Sequence, residues 1–264
     1  MSFDQMVQRL ETLTVKAGRD KSGKPESEEV VFRAGEVSAL LGPTGSGKSR
    51  FLSDIESLAN GDTPSGRRLL LNGTPPSGDL RFALQGRLVA QLTQNMNFVL
   101  DMRVDEFLRA HAESREVADP EAAALRVLDA ANRLAGEPFS PSSQLTQLSG
   151  GQSRALMIAD TALLSWSPVI LIDEIENAGI EKRNALDLLI SSDKIIIIAT
   201  HDPVLALLAD RRIVFRHGAV RRIMRRTDEE KEYLENLLEM EQFVSRIRDV
   251  LRNGDPLPAR GVEG

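Results

Sequence analysis

Eight consecutive residues, Gly42-Pro43-Thr44-Gly45-Ser46-Gly47-Lys48-Ser49, fill every fixed position of the pattern G-x-x-x-x-G-K-[ST]. Each constrained position has a chemical task. Wrapping a polyphosphate in successive backbone N–H groups requires tight turns and no side chains in the way, which Gly42, Gly45 and Gly47 allow. Lys48 has the length and charge to reach β- and γ-phosphates, and the Ser49 hydroxyl can ligate Mg²⁺. Arg50 follows directly, so Gly42 to Arg50 form one candidate nucleotide-binding run.

Further along, four apolar residues lead into Asp173-Glu174, a Walker-B type pattern. Asp173 at a strand end would hold the metal, commonly through water. Glu174 beside it would act as general base on the attacking water, a role worth about 10²–10⁴-fold in rate. Ile195 to Thr200 leads into His201, offering a second strand-end contact for a γ-phosphate and its water; a structural histidine is the competing reading. Gln94 follows the apolar stretch ending at Thr93. Its neutral amide could touch both Mg²⁺ and the water, with Gln91 as the competing position. Leu148-Ser149-Gly150-Gly151-Gln152 is a second Gly-containing helix start. Ser149 can cap the helix and donate to an oxygen, while the glycines leave N–H groups accessible.

These groups need scaffolding, and the pattern supplies it. Val37-Ser38-Ala39-Leu40-Leu41 reads as a buried strand before the glycine loop, and Ser49 to Leu58 as a helix after it, its N-terminus aimed at an anion. Val169 to Ile172 and Ile195 to Ala199 have the length and β-branching of buried parallel strands. Residues 67–73 and 87–93 are further strand candidates. Two helices are expected between Val104 and Leu134, and a third from Ser149 to about Leu164, with a Pro- and Ser-rich linker at Gly136 to Ser143. Gly18 to Glu29, Lys-rich and then acidic, reads as a mobile hairpin loop, and a basic hairpin surrounds His217-Gly218. Strands alternating with helices predict an α/β fold with a mainly parallel sheet and the phosphate loop at a strand's C-terminal end.

Composition narrows the field. The chain has 264 residues, 41% of them hydrophobic, enough for one large α/β domain or a main domain with small subdomains. It has no cysteine, so disulfides, thiolate metal sites and cysteine nucleophiles are excluded. Met1 to Gln5 has no secretory pattern, and no stretch approaches the ~18 apolar residues of a membrane span. A net charge of −6 and 4% aromatic content argue against a nucleic-acid partner.

The ordered set of phosphate loop, Gln94, Leu-Ser-Gly-Gly-Gln signature, Asp173-Glu174 and His201 resembles the nucleotide-binding domain of the ATP-binding cassette (ABC) superfamily. The resemblance runs from roughly residue 7 to residue 226. Pro64 to Gly73 matches the family's strand after the phosphate-loop helix, and Gln94 lies nine residues before Arg103, at the family's Q-loop spacing. It implies ATP and Mg²⁺ as cofactors, Ser49, Gln94 and Asp173 around the metal, and Glu174, His201 and Gln94 as catalytic residues. It also implies a head-to-tail dimer in which Ser149, Gly150, Gly151 and Gln152 complete the ATP site of a second cassette. The fold implied is that of P-loop NTPases, a mainly parallel sheet core with an antiparallel β subdomain and a helical signature subdomain. The domains implied are residues 1–226 for the cassette, with its helical part near 95–165, and residues 227–264 for a terminal helix and tail.

The sequence departs from the family in places. Ile175-Glu176 stands where Pro-Thr is usual, and Asn177 to Ile180 replaces Ser-Ala-Leu-Asp. No aromatic occurs near Ala17 to Arg19, where the family stacks adenine, and Ala155 and Asp160 replace basic residues of the signature helix. Single-cassette chains of this size resemble energising subunits of transporters, which implies a membrane permease partner and a cytoplasmic location, peripheral to the membrane. A groove for that partner would include Met96, Phe98, Leu100 and Met102. The alternative class is a cassette ATPase of cofactor, metallocluster or protein maturation. Beyond Arg226, Tyr233, Leu237, Met240, Val244, Ile247 and Leu251 are spaced as a short heptad seam, either covering the cassette or docking a second subunit.

Overall fold

A computed structural model describes residues 10–84, 86–93, 97–173 and 182–257. The chain divides into two compact units, one through Arg225 and one from Arg226 onward. The first is built on a six-stranded sheet. Its strands are β3 (Val37–Leu41), β5 (Val89–Thr93), β6 (Val169–Asp173), β7 (Ile195–Ala199), β8 (Arg211–Arg216) and β9 (Ala219–Arg225), in the order β5-β6-β7-β3-β8-β9. Every neighbouring pair is parallel except β8 with β9, which is the expected basic hairpin. A separate antiparallel sheet, ordered β2-β1-β4, is made of β1 (Thr12–Lys16), β2 (Val30–Arg33) and β4 (Arg68–Leu71).

The period-two alternation of the buried strands sorts their side chains onto two faces. Leu171, Ile195, Ile197 and Phe215 face one core, shared with the antiparallel sheet and with α1 (Lys48–Glu56) through Phe51, Leu52 and Ile55. Ile170, Ile172, Ile196 and Ile198 face a second core under α5 (Gly150–Leu163), α6 (Lys182–Ile190) and α7 (Pro203–Leu208). Because both faces are covered, these strands read as unbroken apolar runs. Between β4 and β5 lies the short helix α2 (Gly78–Leu84). The helical layer comprises α3 (Val104–Ser114), α4 (Pro120–Leu134) and α5, with a third core of Val104, Leu108, Val127, Ala131, Leu156 and Ala159. Helix α4 starts where it must: Pro120 occupies the first turn, and the Asp119 carboxylate accepts from Ala122 N–H at 3.0 Å.

The second unit is a single helix, α8 (Glu229–Arg252), of 24 residues. No helix among the described residues is long and apolar enough to cross a membrane.

Candidate nucleotide site

Strand register places the motifs side by side. Thr93 of β5 pairs with Asp173 of β6, Asp173 pairs with Ala199 of β7, and Ala199 pairs with Leu40 of β3. The residues that follow these strand ends in sequence are Gln94, Glu174, Thr200-His201 and Leu41-Gly42. The carboxyl ends of four parallel strands scattered over more than a hundred residues therefore line up along one edge, where such sheets bind ligands. Gln94 and Glu174, with Asn95, Met96 and the stretch 175–181, lie outside the described residues.

The phosphate loop spans the step from β3 to α1. Gly42, Gly45 and Gly47 all have positive φ, at 146°, 74° and 114°. Two of them also stand where no side chain fits. A Cβ on Gly42 would lie 2.6 Å from the Phe215 carbonyl oxygen and 2.7 Å from Ser46 Oγ, and one on Gly47 would lie 2.7 Å from Gly218 Cα. Gly47 caps α1 with no side-chain hydrogen bond, so the first N–H groups of the helix have no capping oxygen from Gly47. Ser46 Oγ is buried with no hydrogen-bond partner among the described residues. Glycine backbone, an uncapped helix start and a partnerless hydroxyl together suit an oxygen-rich anion at this loop.

Lys48, the first residue of α1, is buried at 8% exposure. Its ammonium donates to the Gly42 carbonyl at 2.6 Å and lies 3.3 Å from His201 Nε2. An ammonium can only donate, so Nε2 is the accepting nitrogen of that ring. The sequence-predicted lysine and strand-end histidine are thus brought into contact beside the loop. Ser49 and Arg50 are exposed on the first turn of α1, Pro43 and Thr44 are exposed on the loop, and Asp173 is half-buried at the end of β6. The signature stands elsewhere, at the head of α5. Ser149 caps that helix in a reciprocal box: its Oγ accepts from Gln152 N–H at 3.3 Å, and its own N–H donates to Gln152 Oε1 at 2.9 Å. Gln152 Nε2 also donates to the Glu137 carbonyl. Ser149 and Gly150 are exposed.

The family model described as "ABC transporter" matches residues 28–177. An uncharacterized ABC transporter ATP-binding protein of Methanocaldococcus jannaschii is 50% identical over 94% of this chain and 95% of its own length. The chain belongs to the ABC transporter family. Two solved structures share the fold. One is cbiO1 from Clostridium perfringens, part of the ABC transporter complex cbiONQ, at TM-score 0.60, 22% identity and coverage of 91% and 98% of the two chains. The other is a dimeric ATP-binding cassette in a post-hydrolysis state with ADP and Pi, at TM-score 0.58, 22% identity and coverage of 81% and 98%.

Within this ABC cassette, sequence reasoning missed the parts that hold the phosphate loop from behind. Gly18 to Glu29 is the hairpin that the sequence suggests, and it is tied to its surroundings by bonds that the sequence does not announce. Asp20 closes it: the carboxylate accepts from the Ser22 hydroxyl at 2.7 Å and from the N–H groups of Ser22 and Lys24 at 2.8 and 2.9 Å. The Ser22 hydroxyl, first among these, holds the Asp20 pKa below the usual carboxylate range. Glu26, lower in the hairpin, pairs with Arg67 at 2.6 Å, and Arg67 also pairs with Asp54 of α1 at 3.0 Å, all three side chains about 1% exposed. Arg67 further donates to the Gly218 carbonyl at 2.7 Å and lies over the Phe51 ring at 5.1 Å. One arginine thereby joins the hairpin, the helix after the phosphate loop and the β8–β9 turn. No local pattern marks these partners, because Arg67 and Gly218 are 151 residues apart.

Of the expected partner groove, Phe98 and Met102 pack onto the helical core, whereas Leu100 is 49% exposed. Met96 lies outside the described residues.

Proposed function

We propose that this chain is the ATP-hydrolysing subunit of a membrane transporter and acts as a dimer with two shared nucleotide sites. The observation that carries this reading is the row of strand ends at Thr93, Asp173, Ala199 and Leu40 beside the glycine loop. It supports a site in which the glycine loop cradles phosphates and Asp173 holds the metal beside it. Ser49, Asp173 and Gln94 would hold Mg²⁺, which when bound neutralises charge on the β- and γ-phosphate oxygens. The Lys48 ammonium, freed from the Gly42 carbonyl, turns to the phosphates. That move also releases His201, which becomes available to the γ-phosphate. Glu174, next in sequence to Asp173, accepts the proton of the attacking water.

Ser149, Gly150, Gly151 and Gln152 complete the site of a second cassette. Support for dimerisation comes from a relative of the same fold that is dimeric with ADP and Pi. Support for a permease partner comes from a structural relative that is part of an ABC transporter complex, and a location at the cytoplasmic membrane face goes with that reading.

Phosphate release tests the catalytic assignment. Glu174→Gln keeps shape and removes basicity, so steady-state turnover falls at least about 100-fold while ATP still binds. Chelation of Mg²⁺ abolishes release from the unsubstituted protein. Turnover of the variant at the normal rate would remove Glu174 as the base.

A further inference from the structure

Two turns far apart in sequence meet on the outer side of the phosphate loop. The Lys21 side chain donates from Nζ to the Gly45 carbonyl at 2.7 Å. Gly218 N–H donates to the Ser46 carbonyl at 2.7 Å, and Lys21 N–H donates to the His217 carbonyl at 2.9 Å, joining the two turns to each other. The fit is close. Gly218 has φ +89°, and a Cβ there would lie 2.9 Å from Lys21 Cγ.

The consequence follows from peptide geometry. In a trans peptide the carbonyl and the N–H of the next residue point in opposite directions. Holding the Gly45 and Ser46 carbonyls therefore directs the N–H groups of Ser46 and Gly47 away from the two clasping turns. Ser46 N–H reaches the Pro43 carbonyl at 3.0 Å, closing the turn, and Gly47 N–H faces the opposite way from Gly218. Gly45 most needs such a hold. Its φ is +74°, and nothing lies within 4 Å of where its Cβ would be, so no neighbour packs against that side of the residue. A hydrogen bond from a charged donor is a strong way to fix it.

Resting on the nucleotide-site reading, we propose that Lys21 is a positioning residue for the phosphate loop, holding the Gly45 peptide in the closed turn that shapes the cradle for a triphosphate. Lys21 acts before chemistry: it prearranges the cradle and touches no reacting atom. Its loss weakens nucleotide binding and leaves the chemical step alone. The apolar stem of Lys21 packs near Gly218, so a methionine at this position keeps that packing and removes only the ammonium.

The test uses the full chain. ATP affinity is measured by titration calorimetry in the unsubstituted protein, Lys21→Met and Lys21→Arg, with KM and kcat from phosphate release and melting temperature without nucleotide. Lys21→Met is expected to bind ATP about tenfold more weakly and to raise KM about tenfold. Its kcat stays within twofold, its melting temperature is unchanged, and Lys21→Arg restores affinity. Unchanged affinity in Lys21→Met, a fall in kcat together with a lowered melting temperature, or failure of Lys21→Arg to restore binding would each overturn the proposal. Absence of ATP binding in the unsubstituted protein would instead defeat the nucleotide-site reading on which it stands.

Discussion

Two helix N-termini of this cassette carry glycine, yet they are finished in different ways. Helix α1 begins at Gly47 with no side-chain cap, a buried lysine at its first position and a loop held from behind by two turns. Helix α5 begins at Ser149 with a complete reciprocal box to Gln152 and stands exposed. A free helix start has unsatisfied N–H groups that want an acceptor. At α1 the protein leaves that demand unmet by side chains, so a phosphate can meet it. At α5 the protein meets the demand itself, so the helix start is stable without a ligand. The lesson is that the first terminus is a built receptor, whereas the second is a finished surface suited to contact with another molecule. This division matches a site shared between two cassettes, with one half prearranged and the other brought to it.

Breaking the support behind α1 gives the largest expected effect. Arg67→Met leaves Glu26 and Asp54 buried without their common cation, at a cost of about 3–5 kcal/mol. Urea unfolding of the variant measures it. A loss under about 1 kcal/mol would mean the charges find other partners and that the network does not hold the loop. Removing the cap at α5 has a smaller effect. Ser149→Ala loses the acceptor for Gln152 N–H and costs about 1 kcal/mol. On the proposal that the signature serves the site of a second cassette, ATP affinity of the isolated subunit stays unchanged. Weakened ATP binding by the monomeric variant would erase the distinction between the two termini.

Much of this architecture was legible in the sequence, for reasons that differ by region. The strands Val169 to Ile172 and Ile195 to Ala199 announce themselves as apolar runs because both faces of the sheet are covered. The phosphate loop is legible because backbone geometry dictates glycine at fixed spacing. The Ser149 cap is legible because its partner, Gln152, is three residues away. The clasp around Lys21 and the ion network at Arg67 were not legible, because their partners are joined only by the fold. A polar stretch such as Gly18 to Glu29 has the composition of a loose loop until Glu26 meets Arg67. His111, which the sequence left without a role, pairs through Nδ1 with Asp160 at 2.7 Å. Asp160 itself departs from the basic residue usual in signature helices, so the two departures from expectation are one contact. Nearby, burial pushes the Lys194 ammonium down to about 8, with Asp160 opposing the shift and Arg115 adding to it.

The shared-site account rests on ATP bringing two cassettes together, each contributing one of the two helix starts. Light scattering of the Glu174→Gln protein, with and without ATP, measures this most directly. The account predicts monomer mass without nucleotide, dimer mass with ATP, and return to monomer mass when Ser149→Ala is added. Monomer mass throughout at high protein concentration, in a protein that calorimetry shows to be saturated with ATP, would contradict it.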